Sequence, residues 1–90
     1  MEYKFEIGQG KLRVVVPREL DHHLAVQLKE EADLLIETYH VKTLVFDFSN
    51  TEFMDSSGIG VLIGRSRNLS FSGGNVVAVN LSPRVEQIFR

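Results

Sequence analysis

The segment over residues 43–48 constrains the fold more than any other part of the sequence. It is rich in β-branched and aromatic residues, it is too short for a helix, and Ser49-Asn50 closes it, which predicts a buried strand. Helical patterns flank this strand, one over His22–Tyr39 and another that begins near Asp55 and ends near Leu69. Strands that alternate with helices pair in parallel through right-handed crossovers. The sequence therefore predicts an α/β fold.

The N-terminal part of the chain has the pattern of a β-hairpin. Tyr3, Phe5 and Ile7 alternate with charged residues, which is the period of a strand with one buried face. Gly8-Gln9-Gly10 then supplies a turn, and residues 11–16 form the second strand.

The elements after the hairpin complete the predicted architecture. Pro17 has no N–H to donate and ends the second strand, residues 18–21 are predicted to form a loop, and Asp21 is predicted to be the N-cap of the first helix. Residues 75–80 have the composition of another strand, and Ser82-Pro83 is typical of the start of a third helix. We expect a hairpin followed by alternating helices and parallel strands, with the helices packed on a mixed sheet of four or five strands.

The composition favours one small soluble domain over residues 1–90. A hydrophobic fraction of 43% with 24% charged residues is ordinary for a globular protein, and no apolar run is long enough to cross a membrane. The chain has no cysteine, so disulfides and thiolate metal sites are excluded. A net charge of −2 argues against nucleic-acid binding, and the start of the chain lacks the pattern of a signal peptide. A cytoplasmic protein with no nucleic-acid and no membrane partner is expected.

The stretch Met54-Asp55-Ser56-Ser57-Gly58 has the pattern of a helix start. Asp or Ser at such a boundary accepts hydrogen bonds from the first free backbone N–H groups, which also carry the positive end of the helix dipole. A serine there is accessible to an enzyme, and a phosphoryl group added to it is stabilised by backbone donors. The sequence therefore predicts a modifiable serine at this boundary.

Gly60 and Gly64 lie one turn apart inside the second predicted helix. Each costs about 0.5–1 kcal/mol relative to alanine, so something must offset the loss. One interpretation is close packing of the helix on its own sheet; the other is close approach of a partner protein. The residues alone leave both open.

Catalytic and cofactor sites are poorly supported by the sequence. Asp21-His22-His23 contains metal-binding residue types, but neighbouring residues on a helix do not face one site, so no metal site is predicted. Ser56, either of these histidines, and Asp21, Asp47 or Asp55 supply the residue types of a hydrolase triad, but the Gly-x-Ser-x-Gly context is missing. The spacing of the glycines does not fit a dinucleotide fingerprint, and the lysine of a P-loop is absent. We therefore expect no catalysis and no cofactor.

Three motifs, taken together and in order, resemble those of a known family. They are Glu-Leu-Asp-His-His at residues 19–23, Phe-Met-Asp-Ser-Ser-Gly-Ile-Gly-Val-Leu-Ile-Gly-Arg at residues 53–65, and Ser-Pro-Arg-Val at residues 82–85. In this respect the chain is similar to the bacterial anti-sigma factor antagonists of the STAS domain family, most closely to the sporulation members. The family pattern continues beyond the third helix, so the resemblance implies a STAS domain over residues 1–90 that is either truncated at its C-terminal end or short in this member.

The resemblance implies a regulatory binding module. Its unphosphorylated form binds an anti-sigma factor that is also an ATP-dependent serine kinase. This binding releases the sigma factor, and a serine phosphatase removes the phosphate that the kinase adds. The serine directly after the aspartate is the family's phosphorylation site, which carries over to Ser56, with Ser57 as the second choice. The residues expected to contact the partner are Asp21, His22, Asp55, Ser57, Gly58, Gly60 and Gly64. The alternatives are a STAS module of another partner-switching assembly, such as a stress response, and a small metal-dependent hydrolase.

Overall fold

The structure, a computed structural model, describes residues 4–55, 58, 60 and 74–88. Its strands are β1 (Lys4–Gly8), β2 (Lys11–Val15), β3 (Glu19–Leu20), β4 (Thr43–Asp47), β5 (Phe53–Met54) and β6 (Asn75–Val79). Its two helices with described bounds are α1 (His22–Tyr39) and α2 (Pro83–Ile88). The predicted α/β class is confirmed.

Four of the strands form a mixed sheet in the order β1-β2-β4-β6. The hairpin pair β1–β2 is antiparallel, whereas β2–β4 and β4–β6 are parallel, as expected for strands joined by helical crossovers. At the hairpin turn, Gly8 pairs with Lys11, and the two turn residues Gln9 and Gly10 both have positive φ angles. Two positive φ angles are typical of the two-residue turns whose twist matches that of the strands.

The hydrophobic core lies between the sheet and the helices. Alternating residues of β2 and β4 point into it, and α1 contributes small and aliphatic side chains at helical spacing. Its fully buried members include Leu12, Val14 and Leu44 of the sheet, Ala25, Leu28 and Ala32 of α1, and Val85 of α2. Because β2 and β4 are held on both sides by neighbouring strands, they form a rigid centre for the elements at their carboxyl ends.

Helix α1 has the predicted bounds and the predicted N-cap. Asp21 Oδ1 accepts a hydrogen bond from Leu24 N at 2.8 Å, which satisfies one of the free N–H groups of the first turn. At the other end His40 adopts the left-handed conformation, and its N–H donates to the carbonyl of Ile36. No helix in the described part of the chain has both the length and the hydrophobicity needed to cross a lipid bilayer.

Asp47 links the parallel strands β2, β4 and β6 through its side chain. Its side chain is fully buried, and it accepts hydrogen bonds from Ser49 N at 2.9 Å, from Asn80 Nδ2 at 3.0 Å and from Arg13 Nη2. Burial acts to raise the pKa of Asp47, but the hydrogen bonds from Asn80, Ser49 and Arg13 outweigh it and hold this pKa well below its usual range. The carboxylate considered for a hydrolase triad is thus engaged in holding β2, β4 and the end of β6 together.

The prediction of a loop over residues 18–21 was wrong in its centre. Glu19–Leu20 forms strand β3, which pairs in parallel with β5 in a separate two-stranded sheet. Two-residue strands show no periodicity in a sequence, and their pairing depends on a distant segment. Of the second predicted helix, Gly58 and Gly60 have helical backbone, and its other residues lie outside the described part.

Candidate functional site

The pairing of β3 with β5 brings the two aspartates of the predicted site side by side. Leu20 and Met54 are register partners, and the residues that follow them are Asp21 and Asp55. The pair is held by hydrogen bonds from Phe53 N to the Arg18 carbonyl at 3.1 Å and from Asp55 N to the Leu20 carbonyl at 3.3 Å. Because neighbouring strands lie about 4.8 Å apart, two chain segments leave this small sheet as close neighbours.

Both aspartates cap the start of a helical segment. Asp21 caps α1, and Asp55 Oδ1 accepts a hydrogen bond from Gly58 N at 2.7 Å, three residues further on, which is N-cap geometry. The helix dipole places partial positive charge at each of these starts. Two adjacent helix starts therefore make this corner of the molecule a favourable environment for negative charge.

The two described glycines of this segment lie in different environments. Gly58 is buried, and a Cβ atom built on it would lie 3.2 Å from the Leu20 carbonyl oxygen and 3.4 Å from Asp55 Oδ1. Gly60 is exposed, and a Cβ atom on it meets no described atom within 4 Å. Gly58 is thus required for close packing against β3, whereas Gly60 presents bare backbone at the surface.

A groove of about 470 Å³ runs along the β3–β5 pair. Helix α2 packs against β5, and the guanidinium carbon of Arg84 lies 5.4 Å from the centre of the Phe53 ring. The Phe53 side chain remains 49% exposed, so it forms part of the surface rather than of the core. The groove is lined by Glu19, Leu20, Asp21, Phe53, Met54, Asp55 and Arg84.

The structure places some of the predicted site residues together and leaves others outside its description. Asp21 and Asp55 are adjacent, His22 is the exposed first residue of α1, and Gly58 and Gly60 follow Asp55. Ser56, Ser57 and Gly64 lie outside the described residues. The partner-binding role of the whole set remains a prediction.

Besides the apolar Leu20 and Met54, three residues of the groove were not predicted as site residues from the sequence, namely Glu19, Phe53 and Arg84. All three lie inside the motifs that carried the family resemblance, which was the available signal. No spacing rule joins Arg84 to Phe53, because their contact depends on how α2 packs on β5. Among the described residues, no group of three or more His, Cys, Asp or Glu side chains is placed to hold a metal ion.

Comparison with known families and sequences gives a consistent result. Residues 4–90 match the STAS domain. The chain is 31% identical over 88 residues to the anti-sigma F factor antagonist of Paenibacillus polymyxa, which covers 98% of this chain and 75% of that protein. It is 35% identical to the anti-sigma F factor antagonist of Lysinibacillus sphaericus, over 80% of this chain and 62% of the relative. The anti-sigma-B factor antagonist of Listeria monocytogenes is 32% identical over 84% of this chain and 66% of its own length.

Solved structures agree with these sequence relatives. The anti-sigma factor antagonist SpoIIAA in its unphosphorylated form matches with a TM-score of 0.83 and 31% identity, over 97% of this chain and 80% of that one. The phosphorylated form of the Bacillus protein SpoIIAA matches with a TM-score of 0.82 at the same identity, over 97% and 79%. The fold described here is therefore equally similar to both states of that protein.

Proposed function

Because the chain belongs to the STAS domain family, we propose that it is an anti-sigma factor antagonist of the sporulation type. In this role the unphosphorylated protein binds an anti-sigma factor and thereby releases a sigma factor for transcription in the cytoplasm. Phosphorylation of Ser56 by the same anti-sigma factor, acting as a kinase, ends the binding, and a serine phosphatase restores it. The proposed role needs no catalysis by the chain itself and no cofactor.

The observation that carries this proposal is the juxtaposition of the two capped helix starts by the β3–β5 pair. Ser56 follows Asp55 directly in the sequence, so the acceptor hydroxyl belongs to the chain segment that leaves this corner. In the modification, the Ser56 hydroxyl oxygen forms an ester bond to the γ-phosphorus of ATP, ADP leaves, and the hydroxyl proton is released. The product adds close to two negative charges.

The same corner supplies the proposed partner surface. Asp21, His22 and Gly60 are each exposed, and bare backbone at Gly60 permits close approach of another protein. A dianion on Ser56 would lie where the partner must pack and lose water, and burying unpaired charge costs several kcal/mol, on the order of 3–5. Loss of binding then follows from local charge and bulk.

Incubation with ATP and an anti-sigma kinase, followed by intact mass measurement, tests the acceptor. We expect a gain of one phosphate, its loss in Ser56→Ala, and its retention in the matched variant Ser57→Ala. Loss of the gain in Ser57→Ala with retention in Ser56→Ala would contradict the assignment.

The variant Ser56→Ala also tests whether the Ser56 hydroxyl itself contributes to partner binding. Asp55 already holds the Gly58 N–H, so we expect the variant to stay folded, with a loss of at most about 0.5–2 kcal/mol in the free energy of unfolding. It should bind the anti-sigma factor as the unmodified protein does, in a titration that is insensitive to ATP. Weak binding by a folded variant would mean that the hydroxyl is itself a contact.

A stress-response antagonist is the second candidate, and the 32% identity to the Listeria anti-sigma-B factor antagonist favours keeping it. Titration of the protein against an anti-sigma F factor and an anti-sigma-B factor under the same conditions distinguishes the two. Tighter binding to the anti-sigma F factor by at least about tenfold, or 1.4 kcal/mol, is expected for the sporulation type.

A further inference from the structure

We propose that Thr51 is a positioning residue of the partner surface, whose buried hydroxyl fixes how β3 lies against β5 and so holds Asp21 beside Asp55. This inference rests on the proposed function, because it takes the corner that contains the two aspartates as the surface that binds the anti-sigma factor. Thr51 is only 4% exposed, so it acts through the two strands and not by touching a partner.

The backbone of Thr51 is anchored to the end of β4. Its N–H donates to the Phe48 carbonyl at 3.0 Å, which closes a tight turn over residues 48–51. The Phe48 N–H donates in turn to the Val79 carbonyl at 3.1 Å, which attaches this turn to the parallel strands of the main sheet. The Thr51 side chain therefore extends from a fixed point of the fold.

The hydroxyl of Thr51 reaches the connection between β2 and β3. Its oxygen lies 3.0 Å from the Pro17 carbonyl oxygen and 3.3 Å from the Val16 carbonyl oxygen, and its single proton is donated to one of them. Pro17 is fully buried, so water cannot readily take the place of this donor if the hydroxyl is removed. The hydroxyl thus joins two connections that are distant in the chain.

This bond is the first of a series that aligns β3 with β5. One residue further along, the Arg18 carbonyl accepts from Glu52 N at 2.8 Å and from Phe53 N at 3.1 Å. Strands of two residues have too few ladder bonds to fix their own alignment. Burial of Leu20 and Met54 keeps the pair against the core, but apolar contact has no direction. A directional bond just outside the pair therefore sets its alignment.

The alignment of the pair decides where the two aspartates lie. Asp21 and Asp55 directly follow the register partners Leu20 and Met54. A shift of one residue would turn Leu20 away from the core and would move Asp21 out of line with Asp55. Loss of the Thr51 hydroxyl is thus expected to loosen this pair and to leave the main sheet intact.

Amide hydrogen exchange, measured by NMR on the protein alone, tests this role. Thr51→Val replaces the hydroxyl by a methyl group of similar size. We expect the Phe53 and Asp55 amides, which donate across the pair, to exchange at least about tenfold faster in this variant. Amides of β4 should change by less than about threefold, because the main sheet stays closed. Thr51→Ser keeps the hydroxyl and should restore slow exchange.

Thr43→Val is the matched control, because it removes a threonine hydroxyl at the start of β4, outside the corner. It should leave the exchange of the Phe53 and Asp55 amides unchanged. If the added methyl group of Thr51→Val prevents folding, Thr51→Ser and Thr51→Ala, which differ only in the hydroxyl, give the same comparison. Equal exchange in these two variants, or a uniform acceleration through the whole sheet in Thr51→Val, would overturn the inference.

Titration with the anti-sigma factor then connects the alignment to binding. Thr51→Val should bind at least about tenfold more weakly, whereas Thr51→Ser and Thr43→Val should bind as the unaltered protein does. Faster exchange without weaker binding would overturn the link between the alignment and the partner surface. Absence of binding by the unaltered protein would instead defeat the proposed function, and the exchange rates would still decide whether Thr51 aligns the pair.

Discussion

Asp47 is fully buried, yet its three hydrogen-bond donors favour the charged carboxylate. Its pKa in the folded protein is therefore lower than the value of about 3.9 in an unfolded chain. At a pH between these two pKa values, Asp47 takes up a proton in the unfolded chain but not in the folded protein. The stabilisation that Asp47 provides is therefore complete above about pH 4 and is lost as the pH falls toward the pKa of Asp47 in the folded protein. Asp47 thus contributes an acid-sensitive part of the stability.

The variant Asp47→Asn tests this direction of the pH dependence. At pH 7 we expect the variant to lose about 1.5–3 kcal/mol in the free energy of unfolding, the range of a hydrogen bond to a charged group. The difference between the two proteins should shrink steadily below about pH 4, where the wild-type carboxylate becomes protonated on unfolding. Urea unfolding at pH 7, 4 and 3 measures it, and a difference that is constant with pH would contradict the interpretation.

Individual side-chain contacts were the least predictable features of the fold. Asp47, Asn80 and Arg13 meet because the parallel strands β2, β4 and β6 are neighbours in the sheet, and the order of those strands is not encoded in local spacing. By contrast, the cap at Asp21 was predictable because it depends on a residue three positions away. Local hydrogen bonds follow from the sequence, while contacts between distant elements depend on the tertiary fold.

At the scale of elements, the sequence predicted α1 and the hairpin and missed the β3–β5 pair. The first two have long periodic patterns and strong turn chemistry. The pair has only two residues in each strand, so its formation depends on the rigid sheet and on α2, which packs against β5. The proximity of Asp21 to Asp55 therefore could not be predicted from the sequence and is seen only in the structure.

Gly58 and Gly60 give a matched test of how the helix after Asp55 meets its surroundings. In Gly58→Ala the new methyl group meets the Leu20 carbonyl, which is already held by Asp55 N, so we expect a loss of about 1 kcal/mol or more in stability. In Gly60→Ala helix propensity improves by up to about 1 kcal/mol, so stability should be kept or raised while partner binding falls.

Thermal unfolding and binding titrations of the two glycine variants measure these effects. A strong destabilisation by Gly60→Ala would mean that this glycine packs within the molecule, which was the other interpretation of the sequence. Gly64→Ala should behave like Gly60→Ala if the two glycines form one partner surface.

At the scale of the whole molecule, phosphorylation is expected to change a surface and not the fold. The fold is equally similar to the unphosphorylated and phosphorylated forms of SpoIIAA. A helix start stabilises an anion by about 0.3–1 kcal/mol, so added charge at this corner needs no rearrangement of the sheet.

Ser56→Asp and Ser56→Glu should therefore weaken partner binding at least about tenfold, or 1.4 kcal/mol. The melting temperature and the far-ultraviolet spectrum should stay nearly unchanged. Asp55→Asn should partly restore binding to the mimic, since asparagine keeps the cap and removes a like charge.

Amide chemical shifts of the phosphorylated and unphosphorylated protein locate the change. We expect perturbation near Asp21 and residues 55–60. Shifts spread through β4 and β6 would point to a rearrangement of the sheet instead.

In the proposed role, the β3–β5 pair also makes partner binding conditional on folding. Leu20 and Met54 are far apart in the chain, so the surface that contains Asp21, Asp55 and Arg84 exists only after the sheet has closed. If the proposed function is right, a nascent chain or a fragment over residues 50–66 would carry the serine without its surroundings and would compete poorly for the kinase. In the proposed role, mutations that lower stability would reduce the number of molecules able to bind the partner, while each molecule that does fold would still transmit the full signal.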